Sequence, residues 1–376
     1  MQVQHIVSHG KLNYVLMSPR RAMISSRLWT RSKGVNTMNY GYERVTSEVI
    51  RSVRGKRSQA AFSRRLGYKS NIVNRWEARL AFPTAATFLR AVASAQKNAA
   101  SPLLRFFPRP PQEIVALGVS TPRGVAAFLR ELRGKTPILS VAGESGYNRY
   151  SVARWLAGDV EPRAPQFLHL VEVLSRRLLD FLALCTNPAH LPSVAREYQR
   201  LELARQAAYE QPWSHAVLRA LELSPGRAGD QRQWLADRLG ATTDEVTFAL
   251  SFLEATGQVQ RRGARWKLKE VISVNTSQDR ERALGLKLAW TETALARMRR
   301  GAPGNYGYSV FAITKHDLRR LRDVHLEYVR AMQTIIAGSK PGECVGLYCA
   351  QLLDLALSDN ALAESEADVA HSSQRE

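Results

Sequence analysis

The chain has few cysteines, and none of them is paired at metal-ligand spacing. Its three cysteines, Cys185, Cys344 and Cys349, form no C-x-x-C pair, and no histidine pair accompanies them at zinc-site spacing. This usage fits a reducing compartment. We therefore expect a cytoplasmic protein without a disulfide framework or a metal site.

Long apolar runs and catalytic motifs are also missing. No stretch reaches ~18 uninterrupted apolar residues, the length that spans a bilayer, so the sequence predicts no membrane segment. It contains no Gly-rich phosphate loop and no H-E-x-x-H or G-x-S-x-G motif. These absences argue against an enzyme, so we expect no catalytic residues and no cofactor.

Acidic residues are scarce towards the N-terminus. The net charge of +21 arises mostly there: residues 1–37 contain no acid, and residues 38–100 contain 12 basic and 3 acidic side chains. By contrast, residues 181–376 contain 25 basic and 23 acidic side chains. A positive field confined to the first third of a chain is expected where that third lies against a polyanion.

The two ends of the chain show no apolar periodicity. We interpret residues 1–37 as a disordered basic arm, or as the product of a mis-assigned start with Met38 as the true initiator. Residues 357–376 are acidic and rich in small residues, which predicts a disordered tail.

An internal repeat lies between these ends. Shifting the chain by 79 residues gives fifteen identities in 42 columns without a gap, including Gly67 with Gly146 and Trp76 with Trp155. Such self-similarity predicts two copies of one helical unit, over residues 43–98 and 122–185. The proline-rich segment 99–121 between them is predicted to be a stiff, extended linker.

The first copy has the steric pattern of two helices joined by a sharp turn. Phe62 lies on one apolar helical face, Gly67 interrupts it, and Val73 and Trp76 form a second face. Small Ser63 lets the second helix cross closely, and Gly67 can adopt the positive φ that the turn needs. This spacing is typical of a helix-turn-helix.

Together with Ser58-Gln59, Leu66-Gly67 and Asn74-Arg75-Trp76-Glu77, this pattern resembles the Cro/C1-type (phage-repressor-like, XRE) family. The resemblance covers about 55 residues and implies binding of double-stranded DNA. It places Ser70, Asn71 and Arg75 at base edges in the major groove, where Arg suits guanine and Asn suits adenine. From this resemblance and from charge, the phosphate contacts are predicted to be Gln59, Arg64, Arg65, Lys69, Asn74 and Arg79.

The second copy keeps the apolar pattern but loses polar groups. Its base-reading positions are predicted to be Arg149, Tyr150 and Arg154, while Ile138 replaces the glutamine and Leu156 the glutamate. This copy either contacts DNA as a second reader or has become a packing partner of the first.

A third instance of the pattern lies in residues 196–270. Gly240 is followed by Thr242 or Thr243 as a helix cap, and the alternating segment 259–268 predicts a β-hairpin. We interpret this region as a winged helix with Arg261, Arg262 and Arg265 on the wing. Such domains also bind proteins, and Asp244, Glu245 and Glu254 on its second helix would repel phosphates.

Residues 275–356 are predicted to form a small α/β module that serves homodimerisation or effector sensing. Strands are expected over 306–313 and 344–353, although the end of the second segment suits a helix equally well. From Pro212 onward the pattern resembles a bacterial family of conserved hypothetical, regulator-like proteins. The expected fold is thus mainly α: tandem helix-turn-helix bundles, then a winged helix and a small α/β module.

The expected function is that of a transcriptional regulator that reads DNA sequence. The alternative is an interaction adaptor, or a non-specific nucleic-acid (RNA) binder, built on degenerate helix-turn-helix units. The sequence identifies neither the operator nor an effector.

Overall fold

Helices dominate the computed structural model. It describes residues 40–96, 101–107, 110–118, 120–223, 230–263, 265–269, 272, 274–276, 278–339 and 342–355. The predicted basic arm at 1–37 and the tail at 357–376 lie outside these residues. Within the described residues the chain forms seventeen α-helices, one 3-10 helix and one two-stranded sheet, so the prediction of a mainly α fold is confirmed.

The first ten helices contain both copies of the repeat. They are α1 Tyr42–Arg54, α2 Gln59–Arg65, α3 Ile72–Glu77, α4 Ala85–Ala95, α5 Pro102–Arg105, α6 Gln112–Leu117, α7 Pro122–Arg133, α8 Ile138–Ser145, α9 Arg149–Ala157 and α10 Ala164–Ser175. Helices α1–α4, here the first repeat, correspond one by one to α7–α10, the second repeat. Hydroxyl caps start several of them: Ser58 accepts from the Ala61 N–H and Thr121 from the Gly124 N–H.

The extended linker predicted between the repeats is wrong. Residues 102–105 and 112–117 are helical, and Leu103, Phe106 and Ile114 are buried. The prolines do not prevent this, because Pro102 occupies the first turn of α5 and Pro111 caps α6, positions that need no backbone N–H. Phe106 packs edge-on against Phe128 and Phe181, with ring centroids 5.6 and 5.9 Å away. Burial of these apolar side chains outweighs the stiffness of the proline-rich sequence.

The two repeats contact each other reciprocally. The Ala85 N–H donates to the Pro162 carbonyl at 3.0 Å, and the Ala164 N–H donates to the Pro83 carbonyl at 2.9 Å. These positions differ by the 79 residues of the repeat, so each copy gives the other the same bond. In the same way α1 packs on α10 and α4 on α7, and one apolar core contains residues of both copies. The repeats therefore form an internal pseudo-dimer with isologous contacts.

The remaining elements extend the core of the repeats and also build a second apolar core. They are α11 Leu178–Cys185, a 3-10 helix Pro188–His190, α12 Ala195–Glu210, α13 Trp213–Leu223, α14 Gln231–Leu239, α15 Thr243–Ala255, β1 Val259–Arg262, β2 Arg265–Leu268, α16 Arg280–Arg299 and α17 Lys315–Gly338. Helices α13–α15 and the hairpin supply this core. The predicted hairpin and the Thr242 cap are confirmed: Val259 pairs with Leu268, and Thr242 forms a capping box with Glu245.

A buried ion pair joins α11 to α12. The Arg205 guanidinium on α12 donates to the Asp180 carboxylate on α11 at 2.6 Å, and both side chains are almost fully buried. Arg205 also donates to the Asn275 carbonyl at 3.1 Å, and Gln278 donates to Asp180 at 3.1 Å. The segment leading into α16 is thereby held against the end of the second repeat.

The strands predicted over 306–313 and 344–353 are not formed. Within the part of the chain that the structure describes, the only sheet is β1–β2, and neither segment makes a backbone–backbone hydrogen bond. Apolar alternation alone suggested strands, but a strand needs a ladder partner, and none lies beside these segments. Among the described residues, no helix has the length and apolar character needed to cross a bilayer.

Candidate nucleic-acid interface

Ser63 fixes the turn between α2 and α3. Its hydroxyl donates towards the Gln59 carbonyl at 2.8 Å and lies 3.3 Å from Asn71 Oδ1. It also accepts the Val73 N–H at 3.1 Å, which satisfies one of the free donors at the start of α3. Gly67 adopts φ +86°, in the left-handed region. A residue that the sequence marks only as small therefore also anchors the second helix.

The outer face of α3 presents its polar side chains to solvent. Ser70, Asn71, Asn74 and Arg75 are all exposed. Among the described residues, the Arg75 guanidinium makes no hydrogen bond and no ion pair, and only Asn71 has a side-chain partner, Ser63. Val73 and Trp76 face inwards and are buried, and the Trp76 ring packs edge-on against Tyr68 at 5.6 Å. A buried apolar face thus holds the helix while its opposite face offers donors and acceptors outwards.

A buried carboxylate anchors the end of α3. The Glu77 side chain is only 4% exposed and accepts from Arg54 Nε at 2.6 Å. Gln59 Nε2 donates to its other oxygen at 2.8 Å, and Arg51 Nε lies 3.6 Å away. Burial alone would raise the pKa of Glu77, but the bonds from Arg54 and Gln59 outweigh it, and the pKa is lowered. We call Arg51, Arg54, Gln59 and Glu77 the Glu77 network.

Gln59 therefore has a role that the sequence does not reveal. It was predicted to bind a phosphate, and the structure places it half-buried at the start of α2 with one amide hydrogen bonded to Glu77. Its second amide hydrogen has no other hydrogen bond in the described residues. The recurrence of arginine at 51 and 54 was visible in the repeat, but nothing in one sequence links it to Glu77.

The predicted phosphate contacts form a basic collar around α3, which we define as Arg64, Arg65, Lys69 and Arg79. All four are exposed. Arg65 donates to the Ser94 carbonyl at 2.9 Å, whereas Arg64, Lys69 and Arg79 have no hydrogen bond or ion pair from their side chains in the described part of the chain. Arg79 has φ +62°, which turns the chain directly after α3.

The second repeat has the same backbone plan with different polar groups. Gly146 has φ +70°, and Val152 and Trp155 are buried like their counterparts. Arg149 donates to the Tyr150 hydroxyl at 2.7 Å and lies over its ring at 4.7 Å, so these two predicted readers bind each other. Arg154 is exposed and makes no side-chain contact of this kind in the described residues.

The counterpart of the Glu77 network is apolar. Leu156, at the position of Glu77, is buried, and Ile138 stands in place of Gln59. The arginines have found other partners: Arg130 donates to the Leu156 carbonyl at 2.8 Å and pairs with Glu113. Arg133, in place of Arg54, donates to the Thr136 carbonyl at 3.0 Å, and its Nε is buried without a partner.

The three arginines of the hairpin differ in solvent exposure and in their contacts. Arg261 and Arg262 are exposed, and Arg265 is half-buried. Arg261 donates to the Gly263 carbonyl at 3.1 Å and lies 5.2 Å from the Trp266 ring centre, whereas Arg262 makes no contact of this kind in the described residues. No cluster of three or more metal-ligating side chains lies within the described residues.

Comparison with known proteins gives one match. Residues 194–352 match a family described as Domain of unknown function (DUF4423). No curated protein and no solved structure matches the chain. The matched segment begins after the two repeats, and no family model matches the repeats, so their resemblance to the Cro/C1 type stays a prediction from the sequence.

Proposed function

We propose that this chain is a sequence-specific DNA-binding transcriptional regulator. In this proposal α2 and α3 form a helix-turn-helix of the Cro/C1 type, and α3 enters the major groove. Ser70, Asn71 and Arg75 contact base edges, while Asn74 and the basic collar contact phosphates. The role is binding rather than catalysis, and in a bacterial cell it would be carried out in the cytoplasm.

The exposed face of α3 on a rigid base is the observation that supports the proposal most. Among the described residues Arg75 has no internal partner, so its guanidinium could bind guanine without breaking another contact. Meanwhile Ser63 and the Glu77 network fix both ends of α3. A recognition helix needs exposed polar side chains and a fixed position, because ordering a mobile helix on binding costs conformational entropy and lowers the affinity for DNA.

The reciprocal packing of the repeats suggests two unequal readers in one chain. If α8 and α9 form a second helix-turn-helix, α3 and α9 would be the two recognition helices of the pseudo-dimer. They would correspond to the recognition helices of the two subunits in a repressor dimer. Arg154 is the counterpart of Arg75 and is also exposed. The favoured target is then a duplex with two half-sites of different sequence.

We further propose that α13–α15 and the hairpin are a winged helix that makes auxiliary contacts through Arg262. Helix α15 is poorly suited to reading DNA, because Asp244 and Glu254 are exposed on it. Glu245 is not free either, since it accepts the Trp213 indole N–H at 3.0 Å.

Residues 275–356 are proposed to join two copies of the chain. Helix α16 has no buried residue, and the segments 306–313 and 344–353 offer backbone groups without backbone partners in the described residues. Large apolar side chains are exposed on both, with Tyr308 at 96%. Two copies of the chain could pair these segments with each other and cover α16 and α17. A monomeric mass by light scattering at micromolar concentration would contradict this.

The test of DNA reading is fluorescence anisotropy of the full chain against DNA from its own upstream region and a scrambled duplex. We expect preference for the native duplex, a reduction of that preference by about 1–3 kcal/mol with Arg75→Ala, and a smaller reduction with Arg154→Ala. Equal binding to both duplexes, followed by no enrichment in a selection from random duplexes, would overturn the proposal.

One observation favours the adaptor alternative for the second repeat alone. Leu139 on α8 is 71% exposed and Tyr150 on α9 is 64% exposed, so the surface that corresponds to the DNA-facing side is partly apolar. Such a surface suits a protein partner better than a phosphate backbone. If Arg154→Ala leaves DNA discrimination unchanged while Arg75→Ala abolishes it, this repeat is a docking unit.

A further inference from the structure

A cavity of about 320 Å³ lies among segments that are distant in the sequence. Its walls come from α13, α14 and α16, from Ile272 and Val274 in the connection before α16, and from residues 345–347. All of these residues fall within the segment that matches the DUF4423 family. The volume lies at the lower end of the range of small-molecule sites, which favour junctions between structural units.

The walls are largely aromatic and aliphatic. The rings of Trp213 and Trp290 meet edge-on with their centres 5.4 Å apart. Leu218, Leu239 and Leu347 complete the apolar part of the lining. A flat or aliphatic body would be desolvated between these side chains.

Two arginines in the lining have no carboxylate partner. Arg238 donates to the Glu343 carbonyl and Arg297 to the Leu239 carbonyl, and neither forms an ion pair within the described residues. The third arginine of the lining, Arg219, is paired with Glu222 at 2.9 Å. Among the described residues, no aspartate or glutamate lines this cavity. Two guanidinium groups beside apolar walls therefore lack a counter-ion.

The neighbouring cleft differs from the cavity in its charges. A neighbouring cleft shares Trp213 and Arg297 but contains the carboxylates of Asp237, Glu245 and Glu292. In the cavity lining, desolvation and nearby Arg219 lower the pKa of His215, which favours its uncharged ring. The positive charge of the cavity is thus concentrated at Arg238 and Arg297.

We propose that this cavity binds a small organic anion, with one acidic group held by Arg238 and Arg297 and an aromatic or aliphatic body packed against Trp213 and Trp290. Arginine suits such recognition because its planar fork matches a carboxylate or phosphate. A bound anion would connect α16 and residues 345–347 to α13 and α14, which links the ligand to the position of the proposed dimerisation segments. This inference goes beyond DNA binding and does not depend on it.

The experiment uses two dyes with the same aromatic body: 8-anilino-1-naphthalenesulfonate, which is an anion, and N-phenyl-1-naphthylamine, which is uncharged. Both are titrated into the full chain and followed by fluorescence. In Arg238→Gln and Arg297→Gln we expect the affinity for the anionic dye to fall about tenfold each, since a charge-assisted bond is lost, while the affinity for the neutral dye changes less than about twofold. Dye on the exposed apolar surface of α16 and α17 contributes equally to all variants.

Three controls make the result decisive. Arg300→Gln changes a residue of the neighbouring cleft and should leave both affinities unchanged. Arg297→Lys keeps the charge but not the planar fork, so it should retain more of the preference for the anionic dye than Arg297→Gln does. It also tests the charge if the glutamine variants unfold. In the unaltered protein, indole-3-acetate should displace the anionic dye, and tryptamine, its cationic counterpart, should not. Equal losses for both dyes, a lysine variant as weak as the glutamine one, or displacement by tryptamine would each overturn the proposal.

Discussion

The two repeats solve the same packing problem with different chemistry. In the first, a buried carboxylate, Glu77, accepts from Arg54 and Gln59 and anchors α3 to α1 and α2. In the second, Leu156 and Ile138 fill the corresponding space, and α9 is held by apolar contacts. Replacing a buried ion pair by apolar side chains of similar volume is often neutral for stability. The comparison shows that the fold of this unit does not need its polar anchor.

The outer surfaces differ even more than the anchors. The basic collar Arg64, Arg65, Lys69 and Arg79 corresponds to Gly143, Glu144, Asn148 and Gly158 in the second repeat. No position keeps its positive charge, and one becomes acidic. Of the polar surface, Arg75 alone is repeated, as Arg154. The second repeat has thus kept the residues that build the fold and lost those that would attract phosphates.

The largest effect is expected from exchanging the anchors. Glu77→Leu leaves Arg54 and Gln59 without their acceptor, and Arg54 is only 18% exposed, so we expect a loss of about 3 kcal/mol in the free energy of unfolding. Leu156→Glu should cost only about 1 kcal/mol, because Arg133 Nε is already buried there without a partner and can donate to the new carboxylate. Urea denaturation of the full chain, followed by circular dichroism, measures both.

The pH dependence of the free energy of unfolding provides a control for the exchange at Glu77. Because the pKa of Glu77 is lowered in the folded state, its contribution is fully present above the unfolded value of roughly 4.3 and is lost as the pH falls through the folded pKa. The difference between the wild type and Glu77→Leu should therefore shrink below about pH 4. A difference that stays constant from pH 7 to pH 3, or equal costs for both exchanges, would show that the Glu77 network does not set the contrast.

The apolar skeleton of the fold was predictable because it follows from spacing. Val73 and Trp76, their counterparts in the second repeat, and the hairpin at 259–268 are where period and glycine position place them. The linker was mispredicted because the interpretation followed the high proline content of residues 99–121. It gave too little weight to the isolated apolar residues Leu103, Phe106 and Ile114. The strands at 306–313 and 344–353 failed for another reason: alternation shows which side chains share a face, but not whether a second strand is present.

The candidate interface was predictable only on its exposed side. Residues such as Arg75 could be placed on the outer face of α3 from helical spacing alone. The partners beneath could not, since Gln59 and Glu77 are 18 residues apart and their bond depends on how three helices cross. The reciprocal bonds at Pro83 and Pro162 were equally hidden, although both prolines belong to the repeat. Long-range polar contacts depend on tertiary packing, which one sequence does not specify.

The smallest expected effect concerns the basic collar and is read in the salt dependence of DNA binding. Lys69 is exposed and has no partner in the described residues, so Lys69→Ala should remove about one phosphate contact and reduce the slope of log affinity against log salt by about 0.9. Preference between duplexes should stay the same, because phosphate contacts carry no sequence information. Arg319→Ala on α17 removes the same charge from an exposed position outside the repeats and should leave the slope unchanged. An equal reduction in both variants would mean that net charge, rather than a collar specific to the first repeat, attracts the DNA, and the contrast between the repeats would then be one of stability alone.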